Sequence, residues 1–138
     1  MYKEEAAKWQ REPPAEEHEL QKLIEQCGIE LPNAYLDLLR YSNGGEGELG
    51  IEPGWFQLWP VEEVIELNQS YEVQTNLPGF WGFGSNSGGE LLAFDVRRST
   101  PFKVFMIPLI PMDEKAAVKI ADDFESFACA MGKRDDSE

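Results

Sequence analysis

Short aromatic and aliphatic runs, separated by glycine and proline, fill the middle of the chain and limit its possible folds more than any other feature. Runs at residues 55–59, 80–83, 90–96 and 103–107 have the length and composition of β-strands, and residues 116–120 are a candidate short edge strand. The glycine-rich link at 84–89 is typical of an antiparallel hairpin. Helices do not alternate regularly with these runs, as they would in a parallel sheet. The pattern therefore predicts a mostly antiparallel sheet.

Apolar residues with helical spacing are found toward both ends of the chain and after the first of these strands. They predict helices at residues 16–28, from Pro32 to Asn43 and onward from Pro60. Proline is favourable at the first helical position because its missing N–H has no intrahelical partner there. The polar, glycine-bearing segment at 46–53 is predicted to be a loop.

The last helix has the clearest signal and is predicted over residues 122–131. Asp122 is expected to cap it, with Glu125 three positions later as in a capping box. Phe124 and Phe127 fall on the apolar stripe of this helix, so we expect both rings in the core.

Together these elements predict a single α+β domain. We expect a mostly antiparallel, twisted sheet of about four to six strands, with helices packed on one side and a C-terminal helix. A chain of 138 residues has room for one such core. Residues 1–15 are interpreted as a loosely held N-terminal arm, 16–132 as the domain and 133–138 as a charged tail.

The chain carries a large excess of negative charge, with 12 Lys and Arg against 26 Asp and Glu and a formal net charge of -14. Such a chain repels nucleic acid and anionic membranes, whereas a basic protein partner would be attracted to it. The alternative interpretation is that the negative charge only keeps the protein soluble. No run is long and apolar enough to span a bilayer and no secretory signal is visible, so we expect a cytoplasmic protein.

The negative charge is unevenly distributed, because the chain has no Lys, Arg or His between Tyr41 and Val96. Burying an unpaired carboxylate is costly, so the acids of this stretch are expected to project into solvent unless Arg40, Arg97 or Arg98 reaches them. The stretch also contains three of the four tryptophans. Its nine acids are Glu46, Glu48, Glu52, Glu62, Glu63, Glu66, Glu72, Glu90 and Asp95.

The search for catalytic or metal-binding residues is mostly negative. His18 is the only histidine and lies in an acidic helical stretch, so we expect it on the solvated surface. Cys27 and Cys129 are expected to be small buried hydrophobes, and with one histidine they are too few for a zinc site. Glu90 and Asp95 are five positions apart, which places them on opposite faces of their predicted strand. We therefore expect no catalytic residue, no metal and no cofactor.

A protein-binding surface has more support in the sequence than an active site. Trp55 and Trp59 have the same strand parity, so they would share a face as apolar anchors within an acidic rim. Burial in the core is the alternative, and it is favoured for Trp59.

The glycine-rich loop at 84–89 has Asn86 where a nucleophile elbow has serine, and it lacks the lysine of a phosphate-binding loop. The loop at 84–89 is instead a possible extension of the protein-binding surface around Trp55. The candidate protein-binding residues are Glu46, Glu48, Glu52, Trp55, Glu62, Glu63, Glu66 and Asn86.

Several short motifs follow one another in a recognisable order over roughly residues 16–132. They are Leu31-Pro32, Asn43-Gly44-Gly45, an aromatic strand ending at Trp59, a helix with Glu63 and Asn68, Gly82-Phe83-Gly84, Gly88-Gly89-Glu90, Phe94-Asp95, and a helix with Phe124 and Phe127. In this order and spacing the chain resembles the SUKH superfamily. That superfamily includes fungal cell-wall synthesis regulators and many bacterial immunity proteins.

The resemblance implies a non-enzymatic binding domain and, among bacterial members, an immunity protein that neutralises a cognate toxin encoded beside it. Many such toxins are nucleases with basic surfaces, which agrees with the net charge of -14. A regulatory or scaffolding module like the fungal members is the alternative, and a small hydrolase or ligand-binding enzyme is a third. The sequence leaves the oligomeric state open.

Overall fold

Seven strands form one sheet in chain order, and each is antiparallel to the next. The computed structural model describes residues 9–133. The strands are β1 (Trp9–Gln10), β2 (Gly45–Glu48), β3 (Trp55–Leu58), β4 (Phe80–Ser85), β5 (Glu90–Asp95), β6 (Lys103–Pro108) and β7 (Val118–Ala121). The α-helices are α1 (Glu17–Cys27), α2 (Asn33–Tyr41), α3 (Val61–Ser70), α4 (Val73–Asn76) and α5 (Phe124–Cys129).

The α+β class predicted from the sequence is confirmed, although the sheet has more strands than the four to six expected. The additional strands are β1 and β2. Strand β1 falls within residues 1–15, which were interpreted as a loose arm; of these, residues 1–8 lie outside the described part of the chain. Strand β2 overlaps the segment at 46–53, so the loop prediction is wrong for its first residues. Glycine and glutamate have low strand propensity, which hides β2 from a reading of local sequence.

The alternation of glycine and glutamate in β2 is explained by Trp9. Trp9 pairs with Gly47 across the two strands and is buried against Phe56, with their ring centroids 5.4 Å apart. A Cβ atom on Gly47 would lie 2.3 Å from the Cβ of Trp9, far inside van der Waals contact. Any side chain at residue 47 would therefore displace the indole. Strands β1 and β2 depend on each other through this contact.

An aromatic cluster joins the sheet to helices α2 and α5. The ring of Tyr35 in α2 lies 5.5 Å from the ring of Phe124 in α5, and both rings contact Phe83 and Phe94 of the sheet. Phe124 is 2% exposed and Phe127 is fully buried. The prediction that these two phenylalanines enter the core is therefore confirmed.

Helix α5 begins from a different cap than expected and is shorter. The carboxylate of Asp123 accepts a hydrogen bond of 2.8 Å from the backbone N–H of Ser126, so Asp123 is the N-cap and the prediction of Asp122 is wrong. Cys129 is exposed, which corrects the expectation that it is buried. On the helix it lies beside the stripe that faces the core rather than on it.

Helix α3 takes the place of a partner strand along the first half of β4. Strand β3 pairs with β4 through two residues only, and the chain then leaves the sheet at Pro60. The buried side chain of Asn68 accepts a hydrogen bond from the N–H of Gly82 and donates one to its C=O, each at 2.9 Å. The side-chain amide of Gln74 donates to the C=O of Phe80 at 2.8 Å. The bonds of Asn68 fix α3 against the sheet, and the bond of Gln74 does the same for α4. The first turn of α3 is thereby placed beside β2 and β3.

Candidate functional site

Strands β2 and β3 leave one face of the sheet open. Along β3, Trp55 and Gln57 are exposed and the alternate positions are buried, because successive side chains point to opposite faces. Glu48 of β2 pairs with Trp55, and Glu46 pairs with Gln57. The indole Nε1 of Trp55 donates to Oε1 of Glu46 at 3.3 Å. We call these four residues the open face; three of them were predicted as site residues from the sequence.

Trp59 does not share the open face. Strand β3 ends one residue earlier, and the backbone N–H of Trp59 then bonds the C=O of Phe83 at 3.1 Å. The chain turns at Pro60, so the indole of Trp59 is buried at 6% exposure and stacks on Tyr71 with 6.0 Å between ring centroids. Trp55 is therefore the exposed member of the pair, and Trp59 belongs to the core as the favoured interpretation had it.

A groove of about 680 Å³ lies next to the open face, between the segment before α1, strands β2 and β3, and the start of α3. Among residues 9–133, its titratable lining side chains are all glutamates: one from the N-terminal segment, one from β2 and two from α3. Three prolines are among the other lining residues. The lining residues are Glu12, Pro13, Pro14, Asn43, Gly45, Glu46, Gln57, Leu58, Pro60, Glu62 and Glu63. We call this the glutamate groove.

The side chain of Asn43 holds one wall of the glutamate groove. Its Oδ1 accepts a hydrogen bond of 2.7 Å from the backbone N–H of Val61, which caps α3 from outside the helix. Its Nδ2 donates to Oε1 of Glu62 at 2.9 Å. A neutral amide thus orients this carboxylate without cancelling its charge. By contrast, the carboxylate of Glu17 is ion-paired with Arg40 at 2.9 Å.

The remaining predicted site residues lie outside the glutamate groove. Glu52 is exposed in the turn between β2 and β3, and Glu66 is exposed one turn along α3 from the groove. The side chain of Asn86 bonds within its own loop: Oδ1 accepts from the N–H groups of Gly88 and Glu90 at 2.8 and 2.9 Å, and Nδ2 donates to Oε1 of Glu90 at 3.0 Å. Asn86 therefore shapes the loop at 84–89.

Two hydrogen bonds connect the loop at 84–89 to Gln57 of the open face. The hydroxyl of Ser87 donates to Oε1 of Gln57 at 2.8 Å, and the hydroxyl of Ser85 donates to the same oxygen at 3.4 Å. The loop is therefore held beside β3 and forms one border of the exposed surface around Trp55.

Asp95, one of the acids between Tyr41 and Val96, is buried because one of the three arginines named above reaches it. Its side chain is 6% exposed and accepts hydrogen bonds from Nε and Nη2 of Arg97 at 2.9 and 3.0 Å. These bonds hold the pKa of the Asp95 carboxyl below its ordinary value. Glu90 and Asp95 lie at opposite ends of an unbroken strand pairing, so they share no site.

The histidine and the two cysteines lie apart from the groove. His18 is an exposed residue on α1 with Nε2 3.3 Å from Oε2 of Glu19. Cys27 is buried, with its Sγ 3.2 Å from the C=O of Ile29. Within residues 9–133, no three His, Cys, Asp or Glu side chains are grouped so that they could hold a metal ion. No helix in that range is long and apolar enough to cross a membrane.

Sequence reasoning missed three residues of this surface. Glu12 was assigned to the arm, Asn43 was interpreted only as part of a helix stop, and Gln57 was treated as a strand position. Of these three, only Asn43 had a signal in the sequence that could have shown its role. Asparagine is a strong helix-capping residue, and the helix that starts at Pro60 has no capping side chain of its own. The hydrogen bond between Asn43 and Val61, which are 18 residues apart, has no local signature in the sequence.

Comparison with known proteins gives one family. The sequence model of the SMI1 / KNR4 family (SUKH-1) matches residues 14–129, which is most of the chain. A search of curated proteins finds no match. The matched range includes both walls of the glutamate groove except Glu12 and Pro13, and it includes the open face.

Proposed function

The chain belongs to the SMI1/KNR4 family (SUKH-1), and from that premise we propose that it is an immunity protein that binds and neutralises a cognate bacterial toxin in the cytoplasm. Membership of this family supports a protein-interaction or immunity-type module. The choice of a toxin as the partner rests on the resemblance to bacterial immunity proteins and on the net charge of -14.

The observation that carries the proposal is an exposed tryptophan next to a groove whose titratable side chains are all glutamates. An exposed aromatic is a typical anchor of a protein interface, and concentrated negative charge accelerates encounter with a basic partner. A toxin that cleaves nucleic acid needs a basic surface to hold its substrate. The open face and the glutamate groove would cover that surface and so occlude the active site or the path to it.

The test is the rate of association with the cognate toxin, sought in the neighbouring reading frame, over a series of salt concentrations. The groove variant reverses Glu12, Glu46 and Glu63 to lysine. We expect its association to be at least about tenfold slower at low salt and to depend less on salt.

A matched control reverses Glu25, Glu30 and Glu125 to lysine, so that the net charge changes equally away from the groove. These side chains are exposed and do not line the groove. The control should retain most of the association rate of the unmodified protein. Equal slowing by the two variants would mean that net charge alone matters and would refute the assignment of the surface. Binding without protection of toxin-expressing cells would instead favour a regulatory module.

The proposal also holds that the chain acts without catalysis. In support, His18 is exposed on α1 and neither it nor the two cysteines line the groove. His18→Ala, and Cys27→Ser combined with Cys129→Ser, should leave toxin neutralisation intact apart from a loss of stability at the buried cysteine. Loss of neutralisation by a folded His18→Ala protein would contradict a purely non-catalytic role.

A further inference from the structure

Trp55 differs from the other tryptophans in its exposure to solvent. It is 38% exposed, whereas Trp9, Trp59 and Trp81 are 8%, 6% and 7% exposed. Burial of an indole is strongly favourable, so the exposed part of this ring on the open face is apolar surface that a partner can cover. Its Nε1 donates a hydrogen bond to Glu46, so the ring is held beside a carboxylate.

The surroundings of Trp55 form a shallow hollow of about 270 Å³ on the open face. The backbone of Gly47 lies on its floor, between the two glutamates of β2. Among residues 9–133, its lining contains two carboxylates and no lysine or arginine. Its residues are Trp9, Gln10, Glu46, Gly47, Glu48 and Trp55. An incoming cation would therefore meet an aromatic ring and carboxylate oxygens in one place.

Arginine fits these surroundings better than lysine does. A planar guanidinium stacks on an indole and at the same time donates two parallel hydrogen bonds to a carboxylate. An ammonium group lacks the planar fork and is more strongly hydrated, so it gains less from the same ring and carboxylate. The open sheet face is thus complementary in charge and in shape to one class of side chain.

We propose that the hollow beside Trp55 and Glu46 receives an arginine side chain of a basic protein partner. This inference deepens the proposed function and rests on it for the existence of such a partner. Arginine supplies the specificity at this point, while the glutamate groove supplies charge attraction that does not discriminate between arginine and lysine. Trp55 is thereby a specificity-determining residue of the interface.

The test uses two peptides of equal charge, nona-arginine and nona-lysine, titrated into the full chain by calorimetry at constant salt. The indole N–H signals are followed in parallel by NMR. We expect nona-arginine to bind at least about threefold more tightly, as a cation–aromatic contact at an exposed site predicts. The Trp55 indole signal should move only with nona-arginine. Trp55→Leu should abolish the preference and leave nona-lysine binding unchanged, while Trp55→Phe should restore part of it.

Each outcome separates this inference from the proposed function. Equal affinities for the two peptides, or a preference that survives Trp55→Leu, would overturn the arginine site and leave the toxin-binding surface standing. Glu46→Gln should weaken nona-arginine binding more than Glu25→Gln, its control on α1; equal effects would also overturn the site. The proposed function fails separately, if the lysine reversals in the groove do not slow association with the cognate toxin.

Discussion

Replacing Asn68 by alanine should destabilise the protein more than any other single change on helix α3. The side chain of Asn68 is 1% exposed and has four hydrogen-bond contacts. Its Nδ2 donates to the C=O groups of Val64 and Gly82, both at 2.9 Å. Its Oδ1 accepts from the N–H of Gly82 at 2.9 Å and from Nε2 of Gln74 at 3.0 Å.

The cost follows from the groups that would be left without a partner. In Asn68→Ala, the N–H and the C=O of buried Gly82 lose their partners on the edge of β4 that no strand covers. A buried unsatisfied backbone group costs ~1–3 kcal/mol, so the two together give a loss of roughly 2–6 kcal/mol in the free energy of unfolding. For a domain of this size the melting temperature should fall by roughly 6–20 °C. The exposed amide of Gln74 can bond water instead, so it adds little.

Urea denaturation followed by circular dichroism measures this free energy directly. Gln69→Ala is the matched control, because Gln69 is the exposed neighbour on the same helix, and it should change stability by no more than about 0.5 kcal/mol. Asn68→Asp keeps the acceptor toward the Gly82 N–H but turns a carboxylate oxygen toward the Gly82 C=O, so it should also destabilise. An Asn68→Ala protein within about 0.5 kcal/mol of the unmodified protein would refute the argument that this side chain completes the sheet.

Three further predictions concern the core and its charges. Phe124→Ala should cost ~3–5 kcal/mol in urea denaturation, because the ring is 2% exposed among other aromatic rings; a cost below about 1 kcal/mol would contradict its place in the core. Tyr35→Phe should be neutral or stabilising by up to ~2 kcal/mol, because the buried Tyr35 hydroxyl has no hydrogen-bond partner within the described residues 9–133; a clear loss of stability would contradict this. Hydrogen bonds from Arg97 lower the pKa of Asp95, so their contribution is complete at neutral pH and is lost as the pH falls below the ordinary aspartate value of 3.8. Asp95→Asn should therefore reduce the dependence of the unfolding free energy on pH between about 5 and about 2, and an unchanged pH profile would contradict the assignment.

The sequence predicted the elements whose signals are local. The aromatic runs of β3 to β6 and the stripe of α5 are visible because apolar residues recur with the period of the element that they form. Strand β2 was missed because its sequence Gly-Glu-Gly-Glu has no such signal; its glycines are required by Trp9, which is 38 residues away from Gly47. The order of motifs was sufficient to identify the family, since order and spacing are retained even where each motif alone is common.

The candidate site was predicted in composition but not in arrangement. A stretch without basic residues indicates where negative charge accumulates, and it contains Glu46, Glu62 and Glu63, which the fold brings to one groove. Spacing along the sequence could not show that Glu52 and Glu66 lie outside this groove. It also could not show that Glu12 joins the groove, because that depends on where the segment before α1 crosses the edge of β2.

Two asparagines link the frame of the fold to the geometry of the groove. Asn43 fixes the first turn of α3 by accepting from Val61, and Asn68 fixes the last part of the same helix to β4. Both are among the motifs that carry the family resemblance, yet neither carries charge to a partner. Of the groove's glutamates, Glu63 is among those motifs, whereas Glu12 and Glu46 are not. The asparagines that hold the groove's walls in place are therefore different residues from the glutamates that carry its charge, so substitutions at the glutamates can change the partner while the walls stay in place.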